Sequence, residues 1–380
     1  MDRRGFLRAG TLASVATVTG GPVAAETNRL SALLSARPHL APDGSLRLNA
    51  NENPMGLSEV AREAVVEAIS LANRYTDNWE ADLFPAIAAK VGVRAENVFT
   101  GAGSSEVLQA AIQALASPNM PLIMAEPTFE DALDYSHNHP YNLIKVPLDL
   151  RYTHDLTRMR EATERVRRPS VVYICNPNNP TATLTPSSEV DAWIQDAPDS
   201  VFFIIDEAYY ELVEEPGYWS AIKWIDERPN VLVTRTFSKI YGMAGLRLGY
   251  GVAHPDTVER IKAFIAQGSR NMMGIQAGLA SLKDEGHSER TLVMNNRSRQ
   301  IVQETLDELG LGYLPSYTNF LMHEIHGDPE TYIERFHMEG IAVGRMFPPM
   351  VDYARISFGL PEDMERWSDT LRSFRSRGWV

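Results

Sequence analysis

The chain has 380 residues, of which 44% are hydrophobic and 22% charged, a composition typical of a soluble globular protein of two or three domains. The formal net charge of −13 argues against a nucleic-acid partner, because an acidic surface repels phosphodiester backbones. The single cysteine, Cys175, excludes an internal disulfide and a zinc site of several thiolates, and no apolar run reaches the roughly 18–20 residues of a membrane span.

Residues 1–25 have the order of an export signal. Paired arginines, Arg3 and Arg4, precede a Phe-Leu pair, a mildly apolar stretch covers residues 9–18, and small residues end the segment at 23–25. The segment resembles a twin-arginine signal, which predicts a periplasmic or otherwise exported protein. The alternative is a frayed basic N-terminus on a cytoplasmic protein. Because such signals generally serve proteins that fold before export, often around a cofactor, the leader also favours a cofactor-binding protein.

Helices and buried strands alternate along the rest of the chain. Apolar residues three to four apart predict an amphipathic helix over 59–73, and a Gly-rich turn introduces a second over 105–115. Further helical stretches are predicted at 189–195 and 219–226. Short apolar runs without alternation predict strands buried on both faces, at 122–124, 171–175, 201–205 and 231–234.

This alternation predicts an α/β fold with a mostly parallel sheet. A long charged helix is predicted over 288–309, and the predicted segments after it are shorter. We therefore predict an N-terminal arm over 26–50, a large domain over 51–277 and a smaller C-terminal domain over 278–380.

Polar segments follow three of the predicted strands. Asn176–Thr181, Asp206–Tyr209 and Arg235–Lys239 each come directly after an apolar run, and Gly101–Glu106 opens a helix upstream. Each has an ordinary explanation alone: a turn, a helix cap, a strand end meeting water or a surface lysine. Together, at the ends of consecutive strands, they indicate a ligand site at one edge of the sheet.

These segments resemble those of the fold-type I, pyridoxal-phosphate-dependent aminotransferases of class I/II, and most of all the histidinol-phosphate aminotransferase-like group. Leu48–Pro54 and Tyr317–Leu321 share the likeness, which extends from about residue 47 to about residue 375. It implies a large domain with a mostly parallel sheet flanked by helices, and a smaller C-terminal α/β domain. It also implies a homodimer that uses pyridoxal 5'-phosphate to transaminate an α-amino acid with a 2-oxo acid, without a metal.

The resemblance assigns the chemical roles. Lys239 is the amine that forms a Schiff base with the cofactor aldehyde and then moves the substrate proton. Asp206 keeps the pyridine nitrogen protonated, so that the ring can accept electrons. Asn179 and Tyr209 match the donors that hold the phenolic oxygen as an anion.

The resemblance also assigns the binding residues. Hydroxyls, a helix N-terminus and a cation would hold the cofactor phosphate. These residues are Ser104, Ser105, Thr236, Ser238 and Arg247.

Further residues border the ring and the substrate. Phe129 falls where the family stacks an aromatic on the ring, with a core aromatic as the alternative. Tyr75 resembles the tyrosine that reaches the neighbouring subunit's phosphate, although Thr76 stands where the family usually has proline. Arg355 resembles the clamp on the substrate α-carboxylate, a task that suits a planar guanidinium. Asn51 is assigned to the substrate site.

One departure bears on the substrate. In histidinol-phosphate enzymes an arginine contacts the substrate phosphate, but Gly344 falls at its place here, with Arg345 one position later. Apolar residues, Met346–Met350, follow and favour an aromatic or large apolar side chain over a phosphorylated one. The alternatives are that these residues only pack a domain interface, or that Arg345 turns in to bind a second carboxylate.

Other functions compete with this interpretation. A pyridoxal-phosphate decarboxylase or lyase would keep the same lysine, aspartate and phosphate residues, and a true histidinol-phosphate aminotransferase would differ only in its substrate. A binding protein without turnover would not need Lys239, Asp206 and Arg355 together.

Overall fold

The computed structural model describes residues 40–41, 43–136 and 140–380, which belong to one compact unit. The predicted leader and residues 26–39 of the predicted arm lie outside the described residues. Among the described helices, none combines the length and the apolar character that a membrane crossing requires.

The described chain alternates strands and helices. The strands are β1 (Leu46–Leu48), β2 (Val98–Gly101), β3 (Leu122–Glu126), β4 (Leu143–Pro147), β5 (Ser170–Cys175), β6 (Val201–Asp206), β7 (Val231–Thr236), β8 (Gly249–Ala253), β9 (Phe320–Glu324), β10 (Ile341–Val343) and β11 (Tyr353–Ser357). The α-helices are α1 (Glu59–Ala68), α2 (Asp77–Glu80), α3 (Leu83–Val91), α4 (Ser104–Leu115), α5 (Asp131–Ser136), α6 (Leu156–Val166), α7 (Ser187–Asp196), α8 (Pro255–Lys262), α9 (Met272–Ser281), α10 (Glu285–Leu309), α11 (Pro329–Met338) and α12 (Pro361–Ser376).

A seven-stranded sheet in the order β2-β8-β7-β6-β5-β3-β4 forms the centre of the fold. The strands β3 to β7 pair in parallel, whereas β8 runs antiparallel to both β2 and β7. Every residue of β5, β6 and β7 is buried, because hydrophobic clusters cover both faces of the sheet. Parallel pairing brings the carboxyl ends of these three strands to one edge.

The predicted mostly parallel α/β fold is confirmed, and so are its four predicted strands, now β3, β5, β6 and β7. The helix predicted over 59–73 is shorter: it is α-helical to Ala68 and continues as one 3-10 turn, Ile69–Leu71. The stretch 219–226 contains only the 3-10 turn Ala221–Trp224. In the central sheet the sequence analysis missed β2, β4 and β8. Of these, β8 is rich in glycine and β4 is a partly exposed edge strand.

A second core lies in the C-terminal third of the chain. Here β9 pairs antiparallel with β11, and β10 pairs in parallel with β1. Leu46 and Leu48 of β1 therefore pack with residues of α10, α11 and α12, although the sequence analysis placed them in an arm. The boundaries proposed at residues 50 and 277 stay predictions.

Candidate active site

The carboxyl ends of β5, β6 and β7 bring together the polar segments predicted from sequence. Parallel pairing places Cys175 opposite Asp206, and Asp206 opposite Thr234. The loops that leave these strands carry Asn179, Tyr209 and Lys239. Residues spread over more than sixty positions therefore meet at one edge of the sheet, as expected for an open α/β sheet.

Asp206 is a buried carboxylate that, among the described residues, accepts no hydrogen bond from a charged donor. Its side chain accepts hydrogen bonds from the hydroxyl of Tyr173 at 2.9 Å, the hydroxyl of Thr234 at 3.1 Å and the backbone N–H of Ala208 at 3.1 Å. Burial raises the pKa of Asp206 to about 6, and these hydrogen bonds oppose the rise. A cationic ring N–H placed against it would offset the cost of burying the charge.

Lys239 follows β7, and its amine is held by the backbone. The Nζ atom donates a hydrogen bond to the carbonyl oxygen of Asn51 at 3.0 Å and lies 5.4 Å from the centre of the Tyr209 ring. Burial, and then the positive charge of Arg355, lower the pKa of Lys239 to about 8. Near neutral pH, more of this amine is neutral than in an ordinary lysine, as a nucleophile requires.

Asn51 joins the N-terminal segment to the sheet edge. Its amide nitrogen donates to the Tyr209 hydroxyl at 3.2 Å, and its amide oxygen accepts a hydrogen bond from the hydroxyl of Ser357 on β11 at 2.7 Å. The Asn51 backbone is left-handed, with φ of 54°, a conformation that asparagine tolerates better than most residues. The carbonyl that holds Lys239 is thereby fixed by contacts from both halves of the chain.

Arg355 lies on β11 beside Asn179. Its Nη1 donates to the Asn179 side-chain oxygen at 2.7 Å, and its Nη2 donates to the carbonyl of Asn49 at 2.9 Å. Among the described residues, its buried Nε has no hydrogen-bond partner. Burial lowers the pKa of Arg355 to about 10, so the group stays a cation at neutral pH. A buried cation with donor capacity left over suits a carboxylate.

The predicted phosphate-binding residues surround the start of α4. Ser104 and Ser105 begin this helix, whose first-turn N–H groups are a general anion site. From the other side, Arg247 Nη1 lies 3.4 Å from the Ser238 hydroxyl, and the backbone N–H of Ser238 donates to Thr236 Oγ1 at 3.1 Å.

Glycines permit this close approach. A Cβ on Gly103, which has φ of 82°, would lie 2.3 Å from Arg247 Nη2, and one on Gly249 would lie 2.2 Å from the Ser104 nitrogen. A side chain at either position would collide with the proposed phosphate-binding atoms.

The arrangement fits three groups of pyridoxal 5'-phosphate: its phosphate, its pyridine nitrogen and its aldehyde. The α4 turn with Arg247 offers an anion site, the uncompensated Asp206 suits a protonated pyridine nitrogen, and Lys239 offers an amine of lowered pKa. When bound, this cofactor supplies an electron sink for the substrate Cα. With the cofactor bound, the chain's own part would be to orient it, to offer the Arg355 guanidinium to a substrate carboxylate and to offer Lys239 Nζ as the group that moves a proton.

Comparison with known proteins agrees with this geometry. The family described as aminotransferase class I and II matches residues 43–371. The histidinol-phosphate aminotransferase of Caldicellulosiruptor saccharolyticus is 34% identical over 333 residues, which are 86% of this chain and 91% of that protein.

Two solved structures are similar. A putative histidinol-phosphate aminotransferase from Erwinia carotovora atroseptica is 37% identical with a TM-score of 0.87, covering 89% of this chain and 98% of that one. The Sinorhizobium meliloti histidinol-phosphate aminotransferase, solved with pyridoxal-5'-phosphate, is 26% identical with a TM-score of 0.83, covering 96% of each chain.

The chain belongs to the class I and II aminotransferases and has their fold-type I architecture. It is a pyridoxal-phosphate-dependent enzyme that acts on amino-acid and 2-oxo-acid substrates. In the part of the chain that the structure describes, no group of three or more His, Cys, Asp or Glu side chains could hold a metal.

Phe129, Tyr75 and Arg345 are the remaining predicted residues. Phe129 is half-buried and packs against the core cluster beside α4, so its stacking role stays a prediction. Tyr75 is 88% exposed, and its predicted role in a neighbouring subunit stays a prediction. Arg345 pairs with Glu130.

The sequence analysis missed several residues that hold the site. Tyr173 and Thr234 bind Asp206, Ser357 binds Asn51, and the carbonyl of Asn49 binds Arg355. A polar residue within an otherwise apolar buried run is the signal that could have identified Tyr173 and Thr234.

Proposed function

We propose that the protein transaminates an unphosphorylated α-amino acid, with an aromatic or large apolar side chain, with a 2-oxo acid. The state of Arg345 carries this proposal. Its guanidinium forms an ion pair with the carboxylate of Glu130. The positive charge of Arg345, which stands one position after the place of the family's phosphate-binding arginine, is therefore already balanced by a protein carboxylate. A substrate phosphate needs oriented cations that are free to bind it.

The backbone at Gly344 supports the same conclusion. Its N–H donates to the carbonyl of Arg355 at 3.0 Å, and a Cβ at this position would lie 2.6 Å from that oxygen. An arginine at residue 344 would therefore require the backbone between β10 and β11 to move.

In the apolar segment Met346–Met350, Phe347 is the residue that supports an apolar substrate side chain. Its ring lies 4.5 Å from the Arg355 guanidinium, beside the proposed carboxylate clamp. Phe347 and Met350 are buried with Leu314 and Met322, whereas Pro348 and Pro349 are exposed. The segment thus packs its own cluster and presents one aromatic ring next to Arg355.

Histidinol phosphate is the second candidate substrate. The names of the curated relatives favour it over an aromatic amino acid, and Arg345 lies only one position from the family's arginine. A decarboxylase or lyase reaction on the same scaffold is the third candidate, since it would use the same Lys239 and Asp206 side chains.

A substrate panel distinguishes these candidates. Single-turnover reactions of the holoenzyme with phenylalanine, leucine, aspartate and histidinol phosphate would be followed by cofactor absorbance. We expect kcat/KM for phenylalanine to exceed that for histidinol phosphate by at least about tenfold, which corresponds to about 1.4 kcal/mol. Fastest reaction with histidinol phosphate would establish the second candidate instead. An added 2-oxo acid should restore the starting absorbance, which a decarboxylase or lyase would not show.

We also propose a homodimer in which Tyr75 completes the partner's phosphate site. Its high exposure supports this, since a tyrosine side chain at 88% exposure gains little within its own subunit. Mixing inactive Lys239→Ala and Tyr75→Ala subunits should restore activity, because one site per hybrid then has an intact lysine and an intact tyrosine. Sedimentation of a fully active monomer would contradict the proposal.

Export through the twin-arginine pathway, giving a periplasmic enzyme, is likewise our proposal, supported by Arg3 and Arg4. Fractionation of cells that express the wild type and a variant with both arginines changed to lysine would check it.

A further inference from the structure

An ion pair joins the segment after β3 to the segment after β10. Glu130 lies between β3 and α5, directly after Phe129, and Arg345 lies between β10 and β11, 215 residues later. Arg345 Nη2 donates to a carboxylate oxygen of Glu130, and Nη1 donates to the carbonyl of Met346 at 2.8 Å. The side chains are 57% and 35% exposed, so the pair faces solvent rather than the core.

The pair lies next to the proposed carboxylate clamp. The Arg345 guanidinium lies 4.3 Å from the centre of the Phe347 ring, and the Arg355 guanidinium lies 4.5 Å from the same centre. Burial lowers the pKa of Arg355, the charge of Arg345 lowers it further, and the charge of Glu130 opposes both. Two cations and one anion therefore act on a single small region around Phe347.

We propose that Glu130 is a specificity-determining residue that makes the substrate side-chain subsite prefer neutral side chains, because its carboxylate neutralises Arg345. This inference rests on the proposed function. In this proposal, a substrate bound to Arg355 through its α-carboxylate extends its side chain along the Phe347 ring, which lies beside both guanidiniums. With Glu130 in place, a second carboxylate or a phosphate must compete with a protein carboxylate for Arg345.

The exposure of the Arg345–Glu130 pair sets the size of the expected change in ligand affinity. A half-exposed ion pair contributes at most about 1 kcal/mol, which corresponds to about a fivefold change in affinity. Removing Glu130 should therefore improve the binding of a doubly charged ligand by about fivefold. A ligand with one carboxylate and an apolar tail makes no use of Arg345, so its affinity should stay the same.

The test compares ligands that bind without reacting. The holoenzyme would be titrated by calorimetry with succinate, glutarate and adipate, and separately with 3-phenylpropionate. In Glu130→Gln we expect the Kd of the best dicarboxylate to fall about fivefold, with the Kd of 3-phenylpropionate within twofold of the wild type. Asp134→Asn is the matched control, since it removes an exposed carboxylate from the adjoining helix α5.

Two further variants test the role of Arg345. In Glu130→Gln combined with Arg345→Gln, the gain for dicarboxylates should disappear. In Arg345→Gln alone, the uncompensated Glu130 should weaken dicarboxylate binding about fivefold relative to 3-phenylpropionate. An unchanged ratio of the two Kd values in Glu130→Gln, or a gain that survives loss of Arg345, would overturn the inference.

These outcomes are separate from those that decide the proposed function. Preference of the wild type for histidinol phosphate contradicts the proposed function whatever the variants do. The test of Glu130 uses only the change in the ratio of dicarboxylate to monocarboxylate affinity when Glu130 is replaced.

Discussion

Replacing Lys239 by alanine is expected to lower turnover by at least about 10⁴-fold, the upper range for loss of one acid–base group. The lowered pKa of about 8 and the hydrogen bond to the Asn51 carbonyl mark Lys239 as the positioned amine of the site. The variant should still bind the cofactor, because Ser104, Arg247 and Asp206 are untouched. Steady-state kinetics would measure turnover, and equilibrium dialysis would measure cofactor binding.

Covalent attachment gives a second readout for the same variant. Borohydride reduction followed by intact-protein mass spectrometry should show a cofactor adduct on the wild type and none on Lys239→Ala. Lys262→Ala is the matched control, since Lys262 is an exposed lysine at the end of α8. Wild-type turnover in Lys239→Ala would refute the assignment of the active site.

Replacing Asp206 by asparagine is expected to lower kcat by about 10²–10³-fold, the usual effect of removing one preorganised electrostatic group. Asparagine keeps the volume and can still accept from Thr234 and Ala208, so the fold should survive. What it removes is the negative charge that Asp206 would place against the ring nitrogen. The absorbance of the bound cofactor should then change with pH differently from that of the wild type.

Asp199→Asn is the matched control for Asp206, since Asp199 is an exposed carboxylate just before the opposite end of β6. It should leave kcat and the cofactor spectrum unchanged. If Asp206→Asn behaves like Asp199→Asn, then Asp206 has only a structural role, as a buried hydrogen-bond acceptor at the end of β6.

The chemistry of the sheet edge was predictable because short, continuous segments of the sequence specify it. Continuous apolar runs identified β3, β5, β6 and β7, since a strand buried on both faces admits little else. The polar residues directly after such runs, Asp206 and Lys239 among them, then had to lie at the carboxyl edge of a parallel sheet. Their residue types and order were enough to indicate the family and its cofactor.

The partners of these residues were decided by tertiary structure alone. The contacts of Asn51 with Tyr209 and with Ser357 join positions 158 and 306 residues apart, and nothing in the local pattern specifies such a distance. The inclusion of Leu46 and Leu48 in the C-terminal core has the same origin, because β1 finds its only described strand partner in β10. Packing of whole elements sets these contacts.

The proposed substrate subsite shows the same difference between what the sequence and the tertiary structure determine. The sequence by itself determined that Gly344 stands where the family has an arginine, and that Arg345 follows it. It contained no sign that Arg345 would meet Glu130, which lies 215 residues earlier, between β3 and α5. A charged side chain acts through the groups that surround it, and those surroundings exist only after the chain has folded.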